Sequence, residues 1–536
     1  MNSLIIVFIA VASFGIGYKL YASKLERLWG IDVNRQTPAF SKFDGVDYVP
    51  ARNWLVLFGH HFASIAGAGP IIGPVIAVML WGWLPALIWV IVGTVFIGGV
   101  HDFGNLITSV KEGGSSIADI AAGAISKKAK TLFSLFIWVA LVLVIAVFAY
   151  LCADTFVKDP KIIIPSLGLI PVAILVGLMM YTYRINSVVV TVLGLALLVG
   201  LIFLGQKFPV TIIQSQFAWT VILLVYAYIA SIIPVNILLQ PRDYLSSFLL
   251  FFGLLFGFLG LLISRPAINT PAYTQFNSSS GNLWPMLSVI VACGAISGFH
   301  AIVASGTTSK QLSNERFAKR VGYGAMVTEG LLAVLVILVI SAGLRSHELS
   351  AFIANKTSPI GVYSKGYGNI TKVFLGGFGG FIAVVILNAF IFTTLDSATR
   401  VTRYITEEFF KIKNRFLSTA LVIGASGYLA LSKDKFNTPL WKKMWPAFGA
   451  SNQLVAALAL LVLSCWLLAR KKPTRYTLIP AIFMLVTTVA ALFYQMRSYF
   501  KDEDYPLLIV SFVLIGLAVF MVKETAIGFR RLRAYA

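Results

Sequence analysis

The feature that most constrains this chain is its repetition of apolar runs long enough to cross a bilayer. A helix rising about 1.5 Å per residue needs about 20 apolar residues to span a hydrocarbon layer of about 30 Å. Fifteen stretches qualify, near 3–22, 54–80, 83–108, 131–152, 167–183, 187–205, 217–239, 246–264, 285–306, 322–343, 373–398, 416–431, 447–469, 477–496 and 505–523. Charged residues are only 12% of the 536, about half the share in a soluble chain. In lipid every backbone polar group must be paired internally, and runs of this length achieve that as helices. The expected fold is an all-α polytopic membrane protein of about 15 transmembrane helices (14–16).

A formal net charge of +22 invites a nucleic-acid reading, but the placement of the basic residues answers it differently. With the N-terminus outside and alternating spans, the inside segments are 19–52, 111–130, 184, 242, 310–320, 400–415, 470–475 and 523–533. They hold 29 of the 43 Lys and Arg residues. Basic residues accumulate on cytoplasmic loops, where they contact anionic lipid. The expectation is therefore N-terminus outside, C-terminus cytoplasmic, membrane lipids as partners and no nucleic acid. The start, Met1-Asn2-Ser3-Leu4, lacks a basic leader region, so the first run reads as a retained span. Segments 265–284 and 344–372 read as long outside loops. Cys152, Cys293 and Cys465 are odd in number and scattered, which gives neither a disulfide framework nor a metal signature.

Inside the second run lies Gly59-His60-His61-Phe62-Ala63-Ser64-Ile65-Ala66-Gly67-Ala68-Gly69-Pro70-Ile71-Ile72-Gly73-Pro74. Glycine and proline at this density point to a helix interrupted where it lines a cavity, the arrangement that builds binding sites in secondary transporters. Ionisable residues inside spans are costly and mark sites. They are few: His60, His61, His101, Asp102, His300, Glu329 and Asp396. Asp396 has Arg400 four residues on, a helical neighbour with which it can pair. Glu329 is placed close to the inner interface. The spacing Gly59, His61, Gly67 recurs as Gly298, His300, Gly306, in a span crossing the opposite way. That match singles out His61 over His60, whose side chain points about 100° away. The hydroxyls of Ser305, Thr307 and Thr308 stand beside it as ligands for a cation or carboxylate, or as groups bonded back to their own helix. Ser231-Ile232-Ile233-Pro234-Val235-Asn236 is a third interruption, with Pro241 and Arg242 ending that span at the inner face.

Several stretches resemble the carbon starvation protein A family: Gly59 to Pro70, Gln240-Pro241-Arg242-Asp243-Tyr244-Leu245, Leu283-Trp284-Pro285-Met286, Gly294 to His300, Ser305 to Gln311, and Trp445-Pro446-Ala447-Phe448-Gly449-Ala450-Ser451-Asn452-Gln453. The resemblance implies a prokaryotic inner-membrane transporter linked to peptide or pyruvate uptake with proton coupling. It also implies likeness to the amino acid–polyamine–organocation superfamily, whose core is two inverted five-helix repeats. On that register the chain divides into 1–53 (N-terminal helix and cytoplasmic loop), 54–400 (ten-helix inverted-repeat core with discontinuous helices) and 401–536 (additional C-terminal helices). Spans 54–80 and 217–239 are then the unwound pair, and 285–306 lies against the first.

The function expected is secondary active import of short peptides or a small carboxylate such as pyruvate, by alternating access, without a cofactor. The coupling ion is H⁺ or Na⁺. Substrate is assigned to His61, Gly67, Ala68, Gly69, Ser231, Asn236, Gly298 and Ser305. Coupling is assigned to His61, His300, Thr307, Thr308 and Asp102, histidine being the side chain that titrates in the useful range. Two rival readings are an intramembrane metal-dependent enzyme using His60, His61, His101 and His300, and a passive channel. The histidines lack the i, i+4 spacing of a helix-borne zinc pair.

Overall fold

The computed structural model describes residues 2–355, 357–432, 440–501 and 503–534, without the side chains of 440–446, 506 and 534. All fifteen apolar runs are helical, but not all as continuous spans. Among the described residues eleven helices are long and apolar enough to cross a membrane, and a bent pair makes a possible twelfth. That pair is α1 (Trp54–Ile65) and α2 (Gly69–Trp81), bent by 45°. Gln216–Ile232 and Arg415–Leu431 are shorter apolar helices. The run at 285–306 is two pieces, Leu283–Ile290 and α5 (Gly298–Gly306). The remaining elements used below are α3 (Trp83–Lys111), α4 (Leu239–Ser264), α6 (Glu315–Ser341), α7 (Gly379–Phe409) and α8 (Arg475–Lys501).

One of the two segments read as outside loops is not a loop. Residues 344–372 carry the helices Ser346–Ala354 and Pro359–Leu375. Val362, Tyr363, Gly366, Tyr367 and Ile370 form the buried face of the second, and Tyr367 Oη donates to the Gly253 carbonyl at 2.7 Å. Its outer face is polar, so a search for uniformly apolar windows passes over it, although one apolar stripe is enough to dock a helix. The 265–284 segment is a true loop with a small hairpin (Asn277–Ser278 with Gly281–Asn282). It runs across the end of α2, where Gly82 has φ +91 and a Cβ would lie 2.6 Å from the Ala272 carbonyl oxygen. A glycine is required there on both counts.

Most segments assigned to the inside by their basic residues gather on one face. Arg400 Nη1 meets Asp47 Oδ1 at 3.0 Å, and Lys130 pairs with Asp119 and Glu408. Lys111 and Lys472 both donate to the Trp29 carbonyl. Glu112 Oε1 accepts from Trp466 Nε1 at 2.9 Å and from Arg470, and Ser126 donates to Glu524 at 2.7 Å. Arg242 departs from the expectation. It does not end a span at the inner face but lies in the first turns of α4, 1% exposed. Pro241 stands at the start of that helix, where its missing N–H has no partner to lose.

Candidate functional site

The break between α1 and α2 follows from Gly67, Gly69 and Pro70. Ala66 N–H still bonds the Phe62 carbonyl at 2.9 Å, and Gly67 N–H turns to the Ile65 carbonyl at 2.9 Å. The carbonyls near the end of α1 take partners from α7: Thr393 Oγ1 donates to Ala63 O at 2.6 Å and Thr394 Oγ1 to Ser64 O at 3.4 Å. The second break, Val291–Ser297, is treated likewise. Trp89 Nε1 donates to Val291 O at 3.0 Å and Thr94 Oγ1 to Gly294 O at 3.1 Å. Asn452 Oδ1 accepts the Phe299 N–H at 2.8 Å. Side chains thus supply the hydrogen bonds that lipid cannot, so broken backbone sits stably at the centre of the helices.

Between the breaks lies a chain of buried titratable groups. His101 Nδ1 is 2.7 Å from Asp102 Oδ1, and Asp102 Oδ2 is 2.8 Å from His300 Nδ1. His300 Nε2 is 3.3 Å from Glu329 Oε2. Three elements contribute, α3, α5 and α6, and all four side chains are fully buried. The two ring nitrogens of His300 face two different carboxylates. A proton arriving at one nitrogen can therefore be matched by one leaving the other. His61 stands on the α1 side with Nδ1 2.8 Å from Thr308 Oγ1. His61 Nε2, His101 Nε2, His300 Nε2 and both Glu329 oxygens have no hydrogen-bond partner among the described residues, so His300 and Glu329 meet at ion-pair distance without a formed hydrogen bond.

His60, one residue away, belongs to a second network. Its Nδ1 is 2.8 Å from Asp243 Oδ2, to which Ser64 Oγ also donates at 3.2 Å. Arg242 donates to Asp243 Oδ1 through Nη2 at 2.6 Å and pairs with Asp396. Tyr226 Oη donates to Asp396 Oδ2 at 2.5 Å. The expected Asp396–Arg400 pair is not formed: Asp396 turns to Arg242, while Arg400 reaches Asp47 and the Ala230 carbonyl at 2.7 Å. The reason is tertiary. A buried cation on α4 and a carboxylate on a preceding loop each win over a single-turn neighbour, whose pairing is worth only a few tenths of a kcal/mol.

Two cavities approach these networks. The larger, about 560 Å³, reaches Gly69 and Cys293 at its buried end and Ser279, Ser280, Arg497 and Lys501 at its exposed end. The smaller, about 160 Å³, is lined by Ser305, Gly306, Lys310, Tyr404, Asp119 and Glu408. They open on opposite faces. The start of α8 is close to Arg470, which meets Glu112 near the smaller cavity, and the far end of this 27-residue helix borders the larger. The backbone from Cys293 to Gly306 runs from one cavity to the other with His300 between them. At the smaller cavity Lys310 Nζ lies 3.9 Å from the Tyr404 ring centroid and 5.2 Å from that of Tyr48. Burial pushes the Lys310 ammonium down to about 8, with Asp47 opposing. Burial would raise the Asp47 carboxyl, but Arg400, Arg403 and the Tyr404 hydroxyl outweigh it and hold the group below the usual carboxylate range.

The residues singled out by sequence divide into two sets. His61, Thr308, Asp102 and His300 lie at the break region, with Gly67 and Ala68 in the break and Gly69 in the larger cavity. Others are engaged elsewhere. A Cβ on Gly298 would lie 2.2 Å from the Asn452 carbonyl oxygen, so that glycine packs against backbone rather than facing a cavity. Thr307 Oγ1 bonds back to Val303 O at 3.0 Å and Ser305 Oγ to Ala301 O at 2.8 Å. Ser231 precedes the 233–238 break and Asn236 lies within it, beside Arg400, and neither shares a hydrogen bond with the histidines. Glu329 is not near an interface but is His300's partner. Asp243 and Asn452 were visible only as members of familiar-looking stretches, with no local signal of their partners. Of the Trp445–Gln453 stretch, the side chains before Ala447 lie outside the described residues. Among the described residues no group of three or more His, Cys, Asp or Glu is placed to hold a metal ion.

The comparisons with known proteins agree with this architecture. A manganese transporter of Eremococcus coleocola superposes with a TM-score of 0.56 at 13% identity, over 92% of this chain and 99% of that one; this is a likeness of fold. The pyruvate/proton symporter BtsT of Escherichia coli is 29% identical, over 94% of this chain and 85% of its own length. The peptide transporters CstA of Campylobacter jejuni and Bacillus subtilis are 31% and 30% identical, over 91% and 97% of this chain and 80% and 97% of theirs. The profile of the family described as carbon starvation protein CstA matches residues 2–356 and 346–491. The chain belongs to the carbon starvation protein CstA family, and it is a membrane transporter.

Proposed function

We propose that this protein imports a short peptide or a small carboxylate such as pyruvate across the prokaryotic inner membrane, coupled to protons, by alternating access. The observation that carries the reading is the Glu329–His300–Asp102–His101 chain, set between two cavities that open on opposite faces. A symporter needs a group that changes charge and is reached from each face in turn. His300 holds a carboxylate at each ring nitrogen, and the break beside it is a place where small backbone movements are cheap. The names of the relatives support both substrate classes and, for pyruvate, the proton. In this reading the N-terminus is outside and the C-terminus cytoplasmic. Residues 54–400 form the inverted-repeat core, with His61 and Thr308 beside the coupling chain and Gly67, Ala68 and Gly69 presenting backbone to substrate.

The test is uptake of labelled pyruvate and of labelled alanyl-alanine into proteoliposomes under an imposed pH gradient or an imposed Na⁺ gradient. Accumulation should follow the pH gradient and be lost in His300→Ala. Gradient-driven accumulation surviving in both His61→Ala and His300→Ala would remove the histidines from the coupling path. Equilibration without accumulation would favour a channel.

A further inference from the structure

The larger cavity has a chemistry that the histidine chain does not explain. Arg497 and Lys501, one turn apart at the end of α8, supply two cationic side chains to its lining, and no carboxylate lines it among the described residues. Tyr499, between them in sequence, also lines it. Its side chain is only 8% exposed, and its hydroxyl has no hydrogen-bond partner among the described residues. A buried hydroxyl without a partner costs free energy that a ligand oxygen would recover. Ser279 and Ser280 add hydroxyls from the loop hairpin, and Met286 and Val289 give an apolar wall. The volume, about 560 Å³, falls in the range of about 300–1,000 Å³ that accepts drug-sized ligands. It therefore holds a dipeptide as readily as a single organic acid. Its buried end is Gly69, at the break.

We infer that this cavity is a carboxylate-docking site, in which Arg497 pairs with the free carboxylate of the ligand and the Tyr499 hydroxyl donates to it, before the ligand advances to the break at Gly69. The carboxylate is either that of a small organic acid or the C-terminal group of a short peptide. The proposal rests on the transport reading for what happens next, but binding at the site is separable from it. A positive mouth without carboxylates attracts an anion and repels a free amine, so the carboxylate enters as the recognised end.

The experiment compares alanyl-alanine, alanyl-alanine amide and pyruvate on the purified full-length protein. A ligand that binds the folded state raises the unfolding temperature by an amount that grows with the logarithm of its concentration over Kd. Alanyl-alanine and pyruvate should each raise it and the amide should not. Comparing the two carboxylates tells which source the site prefers. Arg497→Gln should remove the shift, Arg497→Lys should keep part of it, and Tyr499→Phe should weaken apparent affinity several-fold. In uptake assays Arg497→Gln should raise KM about tenfold or more, the scale of one charge-assisted hydrogen bond, with Vmax largely kept. Equal stabilisation by the amide and the acid, or no stabilisation by either carboxylate, overturns the site. If Arg497→Gln fails to fold, the acid–amide contrast in the unaltered protein and the Tyr499→Phe variant still decide. A carboxylate-specific shift without gradient-driven uptake would leave the site standing and overturn the transport reading instead.

Discussion

On one side of α1, His60 shares Asp243 with Ser64 and with Arg242, which also holds Asp396. On the other side, His300 stands between Asp102 and Glu329 and, among the described residues, no arginine or lysine is bonded to either carboxylate; His61 bonds a threonine hydroxyl. Both networks are buried and both contain two carboxylates. The difference lies in the cation. Arginine is always charged and offers a fixed fork of donors, so a permanent cation holds the geometry of the first network. Imidazole gains and loses its proton in the physiological range, so the second can change charge without any side chain leaving. The first network reads as a lock tying α1 to α4 and α7, the second as the part that responds to protons. The 307–311 turn touches both, through Thr308 to His61 and through Gln311 to His60 Nε2 at 3.2 Å.

The largest effect should come from removing the lock's cation. Arg242→Met leaves Asp243 and Asp396 buried without their counter-ion, a loss of about 3–5 kcal/mol, and should abolish the monodisperse protein seen by size exclusion in detergent. Adding Asp243→Asn and Asp396→Asn to that variant should restore much of the folded fraction. His300→Gln should fold almost normally; if it unfolds as badly as Arg242→Met, the contrast between the networks is wrong.

Next comes Glu329→Gln, which keeps the shape but removes a proton acceptor. Uptake driven by a pH gradient should drop by about a hundredfold, the low end for losing a positioned proton-transfer group. Counterflow exchange, needing no net proton movement, should persist within a few-fold. A parallel loss of both would make Glu329 a structural residue like Asp396.

A smaller change is expected at the start of α5, the helix that carries His300. Gly298→Ala drives a methyl into the Asn452 carbonyl, where a Cβ would lie 2.2 Å from the oxygen. The cost should be about 1–3 kcal/mol, read as a lowered unfolding temperature, with apparent coupling stoichiometry unchanged in the protein that remains. An altered stoichiometry would instead give Gly298 a place in the site.

The smallest effect concerns Lys310, on the shared turn. Its ammonium is held down to about 8 by burial, whereas an unfolded lysine titrates near 10.4. Between those values the unfolded chain binds more protons than the folded one, so stability should rise with pH across that window. Lys310→Met should flatten the rise of unfolding temperature between pH 8 and 10. An unchanged slope would mean that the ammonium is solvated in the folded state.

The amino-acid sequence by itself determined the material: fifteen apolar runs, the glycines and proline that break α1 from α2, and a short set of ionisable residues that lipid makes expensive. Those features are local, set by hydropathy and by the backbone limits of glycine and proline, and so they can be read along one strand of text. An apolar stripe is harder to see along a sequence than an apolar run, as in Pro359–Leu375, where Lys365, Asn369 and Lys372 interrupt the apolar residues. Partner choice was decided only by tertiary structure. Asp396 took Arg242 rather than Arg400, Glu329 took His300, and adjacent histidines joined separate networks. Each choice pairs residues from different helices, separated by between 29 and 247 positions, and depends on which faces the packed helices turn toward one another. Burial makes leaving such a group unpaired far more costly than losing a single-turn contact, and no spacing rule within one helix encodes the partner.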